Sequence, residues 1–169
     1  MPTVTVTRTY LQLREPSQLR GSSGNPVAAV LVPLDPCPPD RYRELYAAVG
    51  GPYHWRDRNA WSDEQLLTYL ASPTVRVTAL EVEGKSAGYF ELMRHDDGSV
   101  EIVYFGLAGP FIGLGLGKFM LTQAAVAAWS WNASRVWLHT CTLDNPAALP
   151  NYKARGFEPY GEERYEMEL

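Results

Sequence analysis

Three glycines at every second position, Gly113-Leu114-Gly115-Leu116-Gly117, lead into an apolar stretch that reads as a helix from about Gly115 to Trp131. This arrangement constrains the chain more than any other feature in it. Glycine lets the backbone take positive φ and come close to a ligand. The first amides of a helix have no internal partners, and with the positive end of the helix dipole they favour an anion. A pyrophosphate fits such a place, and Lys118 adds charge. On spacing alone, a glycine-rich turn without a ligand is the plain alternative. Two other phosphate loops fail on their residues. A Walker loop needs G-x-x-x-x-G-K-[ST], whereas Gly117-Lys118 is followed by Phe119 and preceded at the first glycine position by Ile112. A dinucleotide fingerprint needs G-x-G-x-x-G early in a βαβ unit; here the glycines alternate, late in the chain.

The rest of the sequence reads as one domain over residues 1–169, a length that buries a real core. Thr3–Leu13 alternates and is rich in β-branched residues, which predicts a strand. Val27–Leu34 is a second strand. Asp40 is placed to cap a helix to about Val49, ended by Gly50-Gly51-Pro52. Ser62 and Gln65 form a capping box for a helix to about Leu70. Val75–Val82, Ala87–Arg94 and Val100–Leu107, split by tight turns, make an antiparallel meander. After the glycine helix come a strand at Arg135–Thr140, a short helix at Pro146–Arg155 stopped by Gly156, and closing strands at Phe157–Tyr160 and Glu163–Glu168. This order predicts a mixed α/β domain with a largely antiparallel sheet.

Net charge is −4 with no basic stripe, which argues against nucleic acid as a partner. The two cysteines, Cys37 and Cys141, and three histidines, His54, His95 and His139, lack metal-ligand spacing, so no metal is expected. The start of the chain lacks the pattern of a signal peptide. The most apolar stretch, near 119–129, is too short and mixed to span a bilayer. The expectation is a cytoplasmic protein without a membrane partner.

Two segments then resemble a known family. Glu101-Ile-Val-Tyr-Phe-Gly-Leu107 with the glycine loop and its helix resembles motif A of the GCN5-related N-acetyltransferases (GNAT). Asn145-Pro-Ala-Ala-Leu-Pro-Asn-Tyr-Lys-Ala-Arg-Gly-Phe157 resembles the family's motif B. The resemblance covers residues 27–169 in element order. It implies a sheet splayed into a V between the strand ending near Leu107 and the strand at Arg135–Thr140, with acetyl-coenzyme A lying in it. Backbone groups of Phe105 and Leu107 would pair with the pantetheine as an added strand does. Amides of Gly113, Leu114, Gly115, Leu116, Gly117 and Lys118 would hold the pyrophosphate, and Asn145 would contact the cofactor or order its loop.

The implied activity is acetyl transfer to the primary amine of a small molecule or peptide, directly in a ternary complex. Cys141 lacks an activating partner for a covalent route. Tyr152 stands where the family carries its general acid, and Glu101 where one branch carries its general base. Glu91, on the neighbouring strand, is a weaker candidate for the base and is expected to contact the acceptor. Trp55 and Arg58 fall in the acceptor wall, while His139 reads as a packing residue. Homodimers are common in the family, which leaves the assembly of this chain open. One departure matters: Ile112 and Leu114 stand where relatives place a glutamine or arginine and a further arginine. The alternative to an enzyme is therefore a non-catalytic acyl-coenzyme A sensor of the same fold.

Overall fold

The structure is a computed structural model that describes residues 2–169. The elements follow the chain as β1 (Thr3–Leu13), β2 (Val30–Leu34), α1 (Pro39–Gly50), α2 (Asp63–Leu70), β3 (Val75–Val82), β4 (Lys85–Arg94), β5 (Val100–Leu107), α3 (Leu116–Ser130), β6 (Val136–Cys141), α4 (Ala148–Ala154) and β7 (Glu158–Glu168). Seven strands form one mixed sheet in the order β2-β3-β4-β5-β6-β1-β7. The chain is thus a mixed α/β domain, mostly antiparallel, as its sequence predicts. No helix among the described residues is long and apolar enough to cross a membrane.

The sheet separates two cores. On one face α3 packs Leu116, Met120, Leu121, Ala124 and Ala128 against Leu11, Leu92, Val100, Ile102 and Leu138. Small alanines let this helix lie close to the strands. On the other face α1 and α2 pack Tyr42, Leu45, Val49, Leu66 and Leu70 against Val77, Ala79 and Tyr89. Helix α2 begins as expected: Ser62 Oγ accepts from the Gln65 amide at 3.1 Å and Gln65 Oε1 from the Ser62 amide at 2.8 Å.

Among the described residues, strands β5 and β6 are the one parallel pair, joined by the crossover helix α3. They pair only at Val100↔Val136 and Glu101↔Trp137. Beyond Glu101 they part, so β5 from Ile102 to Leu107 is paired only with β4. The sheet therefore opens as a V at the place the family resemblance implies.

Several bounds differ from the sequence reading. Strand β2 starts at Val30 because Asn25 closes a turn with Ala29 through both its side-chain oxygen (2.8 Å) and nitrogen (2.9 Å). Asp40 lies in the first turn of α1, and Pro38 occupies the cap position. The two closing strands are one, β7, paired with β1 along its length and passing an irregularity at Tyr10/Leu11. Gly161 continues this strand opposite Tyr10 instead of breaking it.

Candidate active site

The V opens into a cavity of about 750 Å³, the size of a small-molecule site. Its floor is β5 from Ile102 to Leu107. At one end lies the start of α3. Gly113 and Gly115 have φ of 87° and 79°, where a β-carbon is strained. Gly115 is the cap residue of α3, and no side chain caps the helix. Its first amides are thus left for an anion. Gly117 lies inside the helix, as a start near Gly115 predicts, with ordinary dihedrals, and lines the cavity beside Lys118. The Leu116 side chain is fully buried in the core, and Leu114 is 42% exposed, so a contact from either would come from its backbone.

Helix α4 forms the side of the V. Tyr152 is 6% exposed and lines the cavity between Phe105 and Phe157, with ring centroids 6.1 and 6.2 Å away. Burial, reinforced by Asp144, pushes its hydroxyl above the usual tyrosine range, so it stays protonated. Asn145 Oδ1 accepts from the Ala147 amide at 2.9 Å and its Nδ2 donates to Tyr53 at 3.0 Å. It orders the loop before α4 and reaches the cavity.

The far end is walled by residues 51–61 and by one face of β6, β1 and β7. Trp55 lies against Tyr46 and Tyr104, and its Nε1 donates to Asp144 at 3.4 Å. It can seat there because residue 50 is glycine: a β-carbon on Gly50 would stand 2.2 Å from the Trp55 ring. Arg58 also lines the cavity, but its charge is engaged. It donates to Glu91 at 3.1 Å and lies over the rings of Trp61 and Tyr69.

Glu91 corrects the sequence reading most clearly. It is fully buried, absent from the cavity wall, and takes hydrogen bonds from Tyr42, Tyr69 and Arg58. It is the anchor of Arg58 and has no part in the cavity wall. Glu101 is 9% exposed and also stands off the wall. His95 Nε2 lies 2.9 Å from one of its oxygens, and His139 Nε2 lies 4.0 Å from the other. Burial raises its carboxyl above the usual range, against the hydrogen bond from His95.

Of these groups it is His139 that lines the cavity. Burial and then Arg8 hold its imidazole below the ordinary 6.5, opposed by Asp144, Glu163 and Asp57, so it is neutral near pH 7. The sequence reading left His139 as packing. Its alternation on β6, with Trp137, His139 and Cys141 opposite the buried Val136, Leu138 and Thr140, was the available signal. Arg8, Tyr53, Asp57, Tyr165 and Met167 also line the cavity and lie outside both motifs.

Comparison with known proteins agrees with this geometry. The model of the acetyltransferase (GNAT) family matches residues 40–157. An uncharacterised N-acetyltransferase of Mycobacterium bovis is 29% identical over 141 residues, covering 83% of this chain and 85% of that one. A GCN5-related N-acetyltransferase from Kribbella flavida superposes with a TM-score of 0.68 at 18% identity, over 97% of this chain and 58% of that one. An aminoglycoside acetyltransferase from an uncultured soil metagenomic sample gives 0.62 at 14% identity, over 75% and 86%. The chain spans about three-fifths of the length of several solved structures it matches. At these identities the structures show the fold, and the family match spans both motifs and the V between them. The chain belongs to the acetyltransferase (GNAT) family.

Proposed function

We propose that the chain is an N-acetyltransferase that moves an acetyl group from acetyl-coenzyme A to a primary amine, directly in a ternary complex. The observation that carries this reading is the V itself. The free edge of β5, the uncapped start of α3 and the Tyr152 side chain all border one cavity. These groups fit acetyl-coenzyme A by their chemistry: a strand edge for an amide-bearing arm, helix amides with Lys118 for phosphates. When bound, the thioester supplies the activated acetyl group.

The chain's own groups then handle protons. The Tyr152 hydroxyl, kept protonated by burial, donates to the departing sulfur. The His139 imidazole takes the amine's proton. Glu101, 4.0 Å behind its Nε2, favours the imidazolium that results. Glu101 is thereby a positioning residue, and the direct base is the histidine in front of it.

A thiol-release assay across a panel of amines tests the reading. Tyr152→Phe should lower kcat by about 10²-fold, with KM for acetyl-coenzyme A little changed. Unchanged turnover would remove Tyr152 from this role. A second reading rests on Ile112 and Leu114, 41% and 42% exposed where an arginine would add charge. Calorimetric binding of acetyl-coenzyme A without thiol release for any amine would favour the sensor. No binding at millimolar ligand would overturn both.

A further inference from the structure

Two arginines line the cavity, and only one is ion-paired inside the protein. Arg58 is ion-paired with the buried Glu91 at 3.1 Å. Arg8 stands on β1 opposite Cys141 of β6 and Glu163 of β7. Among the described residues no carboxylate comes within ion-pair distance of it. Glu163, its cross-strand neighbour, instead accepts a hydrogen bond from Tyr10 at 2.5 Å. The Arg8 guanidinium lies against the Tyr165 ring, 5.2 Å from its centroid, and its Nε is buried with no hydrogen-bond partner. Buried polar atoms are almost always partnered, and the neighbours of this half-buried guanidinium are the Tyr10 and Tyr165 hydroxyls and no carboxylate. The fork of an arginine matches the two oxygens of a carboxylate.

We propose that Arg8 is the carboxylate-binding residue of the acceptor site, so that the acceptor is an amine of the amino-acid class. The inference rests on the acetyltransferase reading for the word acceptor, and on Arg8 alone for the carboxylate. The register supports the spacing. Tyr10 pairs with His139 and Arg8 with Cys141, so Arg8 and His139 are diagonal neighbours across β1 and β6, about 7–8 Å apart at this kind of position. A molecule whose amine and carboxylate are a few bonds apart reaches both. Trp55, Tyr53, Tyr165 and Met167 supply an aromatic and apolar wall for its side chain.

The test uses binding, so that it does not depend on turnover. N-acetyl-L-phenylalanine and N-acetyl-L-methionine are each compared with their carboxamides by calorimetry on the whole protein. These probes carry no ionising amine, so the pair differs only in the carboxylate. The wild type should bind each acid at least about tenfold more tightly than its amide. Arg8→Gln should bring the pair within about threefold, and Arg8→Lys should keep part of the ratio. Equal binding of acid and amide by the wild type, retention of the ratio in a folded R8Q, or no measurable binding of either acid would overturn the proposal. The wild-type ratio decides even if R8Q fails to fold. Thiol release absent with every amine would sink acetyl transfer while leaving the acid-to-amide ratio to judge Arg8.

Discussion

Glu91 and Glu101 lie on paired strands, and in the sequence each is a carboxylate among apolar neighbours. Their surroundings separate them. Glu91 faces α1 and α2, where Tyr42, Tyr69 and Arg58 close around it from 49, 22 and 33 residues away. Removing one partner of such a pair leaves the other charge buried and unanswered. Glu91→Ala should therefore cost about 3–5 kcal/mol in urea unfolding. The double variant with Arg58→Met should cost less than the two single changes added; strict additivity would mean that the pair is not coupled. Glu101 has histidines as its neighbours, and in the proposed mechanism it acts through His139. That imidazole must be neutral to take a proton, and its pKa lies below the ordinary 6.5. The acidic limb of kcat/KM should thus lie below that value, with activity lost as pH falls through it. His139→Asn should remove the limb and lower kcat. A limb unchanged in the variant would assign it to another group.

At the scale of elements, the start of α3 was the part most legible in the sequence, because its cause is local. Positive φ at Gly113 and Gly115 is a property of single residues, and so is the capping box at Ser62 and Gln65. The ends of β2 and β7 were less legible. They depend on Asn25 bonding back to Ala29 and on β1 lying alongside Gly161, which no local pattern displays. Gly117 shares the spacing of the other two but falls within the helix that starts near Gly115, and it is an ordinary helical residue. The loop glycines should accordingly respond with opposite signs. Gly115→Ala forces a β-carbon into φ of 79° and should destabilise by about 1–2 kcal/mol. Its KM for acetyl-coenzyme A should rise as well, because the helix start is displaced. Gly117→Ala meets only Asn151 Nδ2 at 3.6 Å and should gain about 0.5–1 kcal/mol of helix stability. Scanning calorimetry reads both; a loss at residue 117 equal to that at 115 would contradict the assignment.

Across the whole molecule, the V is a sheet held together at its base by two residue pairs of β5 and β6 and bridged across its mouth by one segment. Residues 51–61 leave α1 on the β2–β5 half and reach the other half at three points. Tyr53 accepts from Asn145, Trp55 donates to Asp144, and Arg56 donates to the Glu168 carbonyl at 2.7 Å. These contacts join residues 92, 89 and 112 positions apart. The sequence marked the segment as aromatic and basic but could not show what it spans. The two motifs were legible because each is a continuous local run, one on β5 and α3 and the other on the loop and helix α4; the wall from Arg8, Tyr165 and Met167 was not, because it is assembled from β1, β7 and this strap. The Arg56 bond is exposed, so its loss should change global stability by less than about 1 kcal/mol. It nevertheless ties the strap to the strand that carries Tyr165 and Met167. Arg56→Ala should therefore raise KM for the amine several-fold while leaving KM for acetyl-coenzyme A unchanged, since its bond is to β7 and not to the start of α3. Initial-rate kinetics with each substrate varied in turn separates the two. Equal rises in both constants would mean that the strap governs the width of the whole V, and not the acceptor end alone.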